Sequence, residues 1–121
     1  MDKRKNKRSR YTNTWLRKQF DQLNHYFFDD RIPSNIKVKF DSFYGDTANG
    51  TWGIKDHLLT VNPEMKRAGE PLILVILLHE MVHADLEYRG YRGYPYEGGH
   101  GMRFQAELVR LFNAGAYDGN L

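Results

Sequence analysis

Residues 71–90 read PLILVILLHEMVHADLEYRG and predict a long helix that is buried beneath other elements of the fold. Pro71 suits the first turn of a helix, where its missing N–H costs nothing, and Gly90 suits the position just after the last turn. The first half is apolar on every side, which is typical of a helix that its neighbours cover. A strand over 72–78 would fit the composition, but the length of the segment and its end signals favour a helix.

Two histidines and a glutamate, His79, Glu80 and His83, occupy the second half of this predicted helix. Side chains four residues apart lie on one face of a helix, so both imidazoles can reach one ion. Neutral imidazole nitrogen is a common ligand of zinc, which is usually tetrahedral. The pattern is therefore a candidate zinc site in which Glu80 takes a proton from a metal-activated water. The alternative is that both histidines are ordinary polar residues, although unpartnered polar groups in so apolar a segment are costly.

A catalytic zinc ion usually has three protein ligands and one open position, so a third ligand must come from another part of the chain. Leu86 and Arg89 stand where the short metzincin pattern has Gly and His, which excludes that class. Glu97 is near in sequence, and Glu107 has an acceptable spacing for a ligand on a following helix. His100 lies between two glycines, which allow the backbone to approach a metal closely, and its chemistry makes it the favoured candidate.

The spacing of apolar residues and the turn signals between them predict two more helices, three strands and a loop. The predicted bounds are a helix over about 14–29, strands over about 36–40, 48–54 and 57–61, a loop over 90–101 and a last helix over about 102–113. The expected core face of the last helix holds Phe104, Leu108, Leu111 and Phe112. On the buried helix, Asp85 and Glu87 are expected to face water, and the alternative is that they orient a ligand imidazole. A substrate backbone could add to an edge strand near 51–53.

This order of elements predicts an α+β domain. We expect an N-terminal helix, a small three-stranded and mainly antiparallel sheet, the buried helix with His-Glu-x-x-His, and a C-terminal helix. The sequence has no recognisable linker, and 121 residues fit one domain.

The positive charge of the chain is concentrated at its beginning. The net charge is +3, but residues 1–10 alone carry six basic side chains against Asp2. These basic residues are Lys3, Arg4, Lys5, Lys7, Arg8 and Arg10. Dense like charge without apolar periodicity predicts a disordered arm over 1–11, with the folded domain over 12–121. The arm is either a solubilising terminus or a contact to the phosphates of nucleic acid, which would bind without sequence preference and weaken with salt.

Several classes of protein are excluded by composition. The chain has no cysteine, which rules out disulfides, thiolate metal sites and thiol nucleophiles. The longest apolar run, 72–78, is too short to span a bilayer, so no membrane partner is expected. No apolar stretch follows the charged start, so a secretory signal is not predicted, and the expected location is the cytoplasm, or the nucleus in a eukaryotic host.

Two neighbouring stretches together resemble a known family. Residues 77–84, LLHEMVHA, followed by residues 99–104, GHGMRF, resemble the SprT-like zinc metalloproteases, which include the Spartan-type proteases. Upstream, residues 26–33, YFFDDRIP, look like the end of the family's first helix. Residues 60–63, TVNP, look like its last strand before the helix that carries the histidines.

This resemblance implies a zincin-like fold in which His79, His83 and His100 bind one Zn²⁺ ion and Glu80 is the catalytic glutamate. It also implies cleavage of DNA-associated or DNA-crosslinked proteins, a role in DNA repair. The leading hypothesis is therefore a zinc-dependent endopeptidase that acts on proteins and reaches DNA through the basic arm. One alternative is a DNA-binding module with structural zinc and little or no protease activity. Another is a metal-dependent hydrolase of a different substrate, such as a peptidoglycan peptide.

Overall fold

The computed structural model describes residues 10–42, 48–91 and 100–118. Its helices are α1 (Asn13–Phe28), α2 (Glu70–Tyr88) and α3 (Met102–Asn113), and its strands are β1 (Lys37–Phe40), β2 (Gly50–Gly53) and β3 (Leu58–Val61). A 3₁₀ turn over Pro63–Arg67 joins β3 to α2 and was not expected from the sequence. The predicted α+β layout and its order of elements are confirmed. Glu97 and the predicted arm up to residue 9 lie outside the described residues.

The three strands form a mixed sheet in the order β1-β3-β2. β2 pairs antiparallel with β3, whereas β1 pairs parallel with β3, so the prediction of a mainly antiparallel sheet was wrong. β2 and β3 form a local hairpin, which the turn residues between them signal. β3 then lies between β2 and β1, and this second pairing joins segments about twenty residues apart in the chain. In the centre of the sheet, β3 buries Leu59, Thr60 and Val61.

Helix α1 packs against β1 through a stripe of apolar side chains. The hydroxyl oxygen of Thr12 caps its first turn by accepting a hydrogen bond from the Trp15 N–H at 3.1 Å. Its fully buried side chains are Leu16, Phe20, Leu23 and Phe28. After the helix, the Asn24 side chain bonds both the N–H and the C=O of Ile32, at 3.2 and 2.8 Å, and so fixes the turn that leads to β1.

Helix α2 crosses beneath the sheet and holds most of the remaining core. Its completely buried apolar residues include Ile73, Leu77, Leu78, Met81, Val82 and Ala84. One face of its first half is nevertheless open, because Leu72 is 37% and Val75 is 42% exposed. The expectation that this half is covered on every side was therefore wrong. No helix in the described part of the chain combines the length and apolar composition that crossing a bilayer requires.

Helix α3 lies across α2 and has the bounds expected from the sequence. Phe104 and Leu111 are buried against α2, as predicted. Phe112, which was expected on the same core face, is 70% exposed. The helix ends at a turn in which Gly115 has a positive φ of 85°, and the chain then buries Ala116.

Candidate metal centre

Three imidazole rings converge where the start of α3 meets the middle of α2. His79 and His83 are one turn apart on α2, and His100 stands just before α3. The Nε2 atom of His100 lies 3.1 Å from that of His79 and 3.2 Å from that of His83. One ligand atom from each residue lies within 4.8 Å of the other two. The structure thus brings together the three histidines that the sequence singled out.

The spacing and chemistry of these nitrogens fit a metal ion such as zinc. Zinc–nitrogen bonds of about 2.0–2.1 Å at tetrahedral angles place neighbouring nitrogens about 3.3 Å apart, close to the observed separations. Burial and the nearby His100 lower the pKa of His79. Burial, with smaller contributions from the charges of His79 and His100, lowers the pKa of His83 to about 4. Both rings on α2 are therefore neutral at pH 7, the form that binds a cation.

The ring of Phe104 contacts all three imidazoles of this histidine cluster. Its ring centroid lies 4.9 Å from that of His79, 4.6 Å from that of His83 and 4.9 Å from that of His100. Phe104 is 1% exposed, so one side of the three imidazoles is closed to water. The sequence identified Phe104 as a core residue, but its contact with all three rings depends on how α3 crosses α2.

Glu80 follows His79 on α2 and is 7% exposed. Burial raises the pKa of its carboxyl group to about 7. β2 passes close by, because a Cβ atom at Gly50 would lie 3.2 Å from Cγ of Glu80, 2.7 Å from Cγ2 of Ile76 and 2.8 Å from the carbonyl oxygen of Thr60. Only a glycine lets the strand pack so closely on the helix beside Glu80. The sequence signalled Gly50 as a turn residue and did not reveal this contact.

Contacts of the residues that follow α2 and precede α3 hold His100 in place. The amide of Gln105 donates a hydrogen bond to the backbone carbonyl of His100 at 3.0 Å. The guanidinium of Arg103 lies 4.1 Å from the ring centroid of Tyr91. Arg89, directly after α2, donates to the Tyr91 hydroxyl at 3.1 Å. Tyr91 thus joins the end of α2 to the start of α3, beside His100.

Asp85 is buried in an ion-pair cluster, which contradicts the expectation that it faces water. Its side chain is 1% exposed. It accepts hydrogen bonds from Nε and Nη2 of Arg31 at 3.2 and 3.1 Å and from Nη1 of Arg89 at 3.1 Å. Arg31 follows α1 in the chain, so this carboxylate ties the end of α1 to α2. No hydrogen bond in the described residues joins Asp85 to the histidines.

Glu107, the alternative third ligand, belongs to the same cluster. Its carboxylate lies 3.1 Å from Nε of Arg110, 3.6 Å from Nη1 of Arg89 and 3.9 Å from Nη2 of Arg31. Three arginines therefore surround it, and it is not part of the group of converging ligand atoms. Glu107 connects α3 to α2 and to the end of α1, and it leaves the third position near His79 and His83 to His100.

Of the predicted basic arm, the structure describes Arg10, whose guanidinium lies 5.5 Å from the ring centroid of Tyr11. The five other basic residues, Lys3, Arg4, Lys5, Lys7 and Arg8, lie outside the described residues.

Comparison with known proteins gives one match. A family model of the SprT-like family matches residues 16–117, a span that contains most of α1, the whole of α2 and α3, the three strands, Glu80 and the three histidines. Neither the curated proteins nor the solved structures that were compared with the chain match it. Since the family model covers most of the sequence, the chain belongs to the SprT-like family.

Proposed function

We propose that this protein is a zinc-dependent endopeptidase. The observation that carries the proposal is the convergence of three imidazole nitrogens within 4.8 Å, with the buried Glu80 next to His79 on α2. His79, His83 and His100 would hold the ion. When bound, zinc supplies Lewis-acid chemistry: it polarises a carbonyl group and makes a water molecule more acidic. Membership of the SprT-like family supports a metalloprotease role.

Glu80 has the properties of a proton carrier for peptide hydrolysis. Its carboxylate takes a proton from the attacking water as the oxygen bonds to the carbonyl carbon, and returns it to the amine nitrogen as the C–N bond breaks. A pKa of about 7 is close to the working pH, where a group both accepts and returns protons. A divalent cation nearby would lower this pKa again and favour the carboxylate form, which is the base. A purely structural site has no need of such a carboxyl group, which favours the enzyme over a module with structural zinc.

β2 offers the polypeptide a place to bind. In the described sheet β2 is an edge strand that pairs with β3 on one side, and Gly50 brings it against α2 next to Glu80. An extended substrate can add to such an edge through backbone hydrogen bonds, which do not depend on the substrate's sequence. The sequence-based prediction that a substrate pairs near residues 51–53 concerns this same strand.

We further propose that the substrates are DNA-associated proteins. The support for this is the run of six basic residues before residue 11, which can neutralise phosphates and concentrate the protein on DNA. Such binding weakens steeply with salt, so any stimulation of cleavage by DNA should also fall as salt is raised.

Cleavage of an unfolded protein such as casein tests the enzyme directly. We expect the wild-type protein to cut casein, a chelator to stop it, and Glu80→Gln to abolish cutting while zinc stays bound. Glu87→Gln is the matched control, because it makes the same chemical change on the same helix and should keep activity. Cutting by Glu80→Gln would contradict the assigned role of Glu80.

The same cleavage assay with and without single-stranded DNA tests whether the basic arm binds DNA and directs cleavage to DNA-bound proteins. We expect DNA to raise cleavage of a DNA-bound protein at low salt, and replacement of the six basic residues by serine to remove this increase. Zinc binding and DNA binding without any cleavage would instead favour the alternative of a DNA-binding module with structural zinc.

A further inference from the structure

An open apolar groove lies between the first half of α2 and the outer face of α3. It has a volume of about 500 Å³. Three of its apolar side chains are well exposed, Val75 at 42%, Val109 at 59% and Phe112 at 70%. The groove is lined by Val75, Gln105, Leu108, Val109, Phe112 and Tyr117. None of the described residues that line it is charged, and large exposed apolar surface of this kind marks a binding site more often than plain surface does.

The groove lies near the histidine cluster on both helices. Val75 lies one turn before His79 on the same face of α2, about 6 Å along the helix axis. On α3, the side chain of Gln105 lines the groove and also donates to the backbone carbonyl of His100 at 3.0 Å. The apolar groove therefore lies about one helical turn from His79 and includes a residue that contacts the backbone of His100.

We propose that this groove binds a large aliphatic or aromatic side chain of the polypeptide substrate, and so sets which bonds are cut. This inference rests on the proposed endopeptidase function. An extended chain advances about 3.3 Å per residue, so Val75, about 6 Å from His79 along the axis of α2, is within reach of a side chain two to four residues from the cleaved bond. A cavity of about 150 Å³ already holds a benzene ring, so about 500 Å³ accommodates the largest apolar side chains.

The dimensions favour a single peptide segment over a second copy of this chain. A stable protein interface commonly uses about 20–30 residues on each side, whereas six of the described residues line this groove. The groove is also concave, which suits an inserted side chain, and its uncharged lining would penalise a charged one because burying an unpaired charge is costly. An unfolded protein exposes the apolar side chains that such a groove accepts, and a folded protein hides them.

Fluorescence-quenched peptides test this proposal. Each peptide carries one leucine in a background of glycine, alanine and serine, and the leucine is moved through four positions on either side of a fixed cleavage site. For the wild-type protein we expect leucine at one position, two to four residues from the cleaved bond, to raise kcat/KM about tenfold or more over serine. In Val109→Glu that preference should disappear, and lysine at the same position should become better than leucine because it pairs with the new carboxylate.

Tyr26→Glu is the matched control for Val109→Glu. Tyr26 is 63% exposed and lies on α1, outside the groove, so the variant adds the same charge to the surface and should keep the leucine preference. If the wild type cuts the peptides without any positional preference, or if Val109→Glu keeps the leucine preference, the groove is not a substrate site although the proposed function stands.

A failure of the proposed function is distinguished by binding. If the wild type cuts no peptide, peptide binding tests the groove without any reaction. Fluorescence anisotropy measures the affinity of labelled leucine and serine peptides for Glu80→Gln and for the double variant Glu80→Gln/Val109→Glu. Weaker binding of the leucine peptide in the double variant supports the groove, and equal binding of both peptides overturns it. Sedimentation completes the test, because a wild-type dimer that Val109→Glu converts to monomers would identify the groove as a contact between two copies and overturn the proposal.

Discussion

Replacing Asp85 by asparagine is expected to lower the free energy of unfolding by about 3 kcal/mol. Removing one partner of a buried ion pair typically costs about 3–5 kcal/mol. We expect a cost at the lower end of this range, because Arg31 and Arg89 are each 34% exposed and water can hydrate them once the carboxylate is gone. The loss is still large, because asparagine keeps one acceptor oxygen but turns an amide N–H₂ group toward guanidinium donors that already supply three hydrogen bonds.

Asp21→Asn is the matched control for this variant. Asp21 also pairs with an arginine four residues away, Arg17, at 3.1 Å, and Arg17 is 31% exposed. The two carboxylates differ in burial, since the side chain of Asp21 is 57% exposed and that of Asp85 is 1% exposed. An exposed pair of this kind contributes about 0–1 kcal/mol, so Asp21→Asn should be almost neutral.

Urea and thermal unfolding of the two variants measure the contrast. For a chain of this size, about 3 kcal/mol corresponds to a fall in Tm of about 10–15 °C for Asp85→Asn, against at most a few degrees for Asp21→Asn. Because Asp85 helps to hold the end of α1 and α3 against α2, Asp85→Asn should also release zinc more readily to a competing chelator. Equal unfolding free energies for the two variants would refute the conclusion that the buried cluster holds these elements together.

Three further predictions concern the surroundings of the histidines. Gly50→Ala should destabilise the protein and reduce cleavage, because its Cβ would lie 2.8 Å from a backbone oxygen, whereas Gly53→Ala, whose Cβ would meet only a backbone oxygen at 3.9 Å, should leave stability unchanged; urea unfolding compares the two variants, and peptide kinetics measures the loss in Gly50→Ala. Phe104→Ala should cost about 3–5 kcal/mol of unfolding free energy and weaken zinc binding in a chelator titration, and unchanged zinc affinity would show that the ring does not support the imidazoles. The third prediction concerns the metal-free protein, prepared with a chelator. Glu80 keeps its proton up to about pH 7 in the folded state, whereas an unfolded glutamate loses its proton near pH 4.5. The free energy of unfolding should therefore fall as the pH rises between these two values. Glu80→Gln lacks this loss, and its unfolding free energy relative to wild type should therefore rise from pH 4.5 to pH 7; a constant difference would contradict the raised pKa.

Local periodicity predicted the helices and the pair of histidines well. The apolar run that ends in His-Glu-x-x-His has a helical length and end signals, and the four-residue spacing of His79 and His83 is a property of a single helix. The bounds of α3 were predicted in full for the same reason. These features depend on residues close together in the chain, which is why the sequence alone reveals them.

Features that depend on distant residues were not predictable. The parallel pairing of β1 with β3 has no local turn signal, so the sequence indicated only the β2–β3 hairpin. Asp85 reads as a surface residue because Arg31, its main partner, is 54 positions away in the chain. Phe112 has helical spacing with the core residues of α3, yet it lies at the edge of the α2–α3 contact, and periodicity does not say how far a neighbouring helix extends. The choice of His100 over Glu107 rested on chemistry, and the surrounding arginines now explain where Glu107 is used.

The zinc content of single-residue variants tests the central claim most directly. After gel filtration in metal-free buffer, we expect about one zinc ion per chain in the wild type and in Glu107→Gln, and a clear loss of zinc in His100→Ala, with far-ultraviolet circular dichroism confirming that each variant is folded. Full zinc content in folded His100→Ala, or loss of zinc from folded Glu107→Gln, would contradict a centre formed by the three imidazoles.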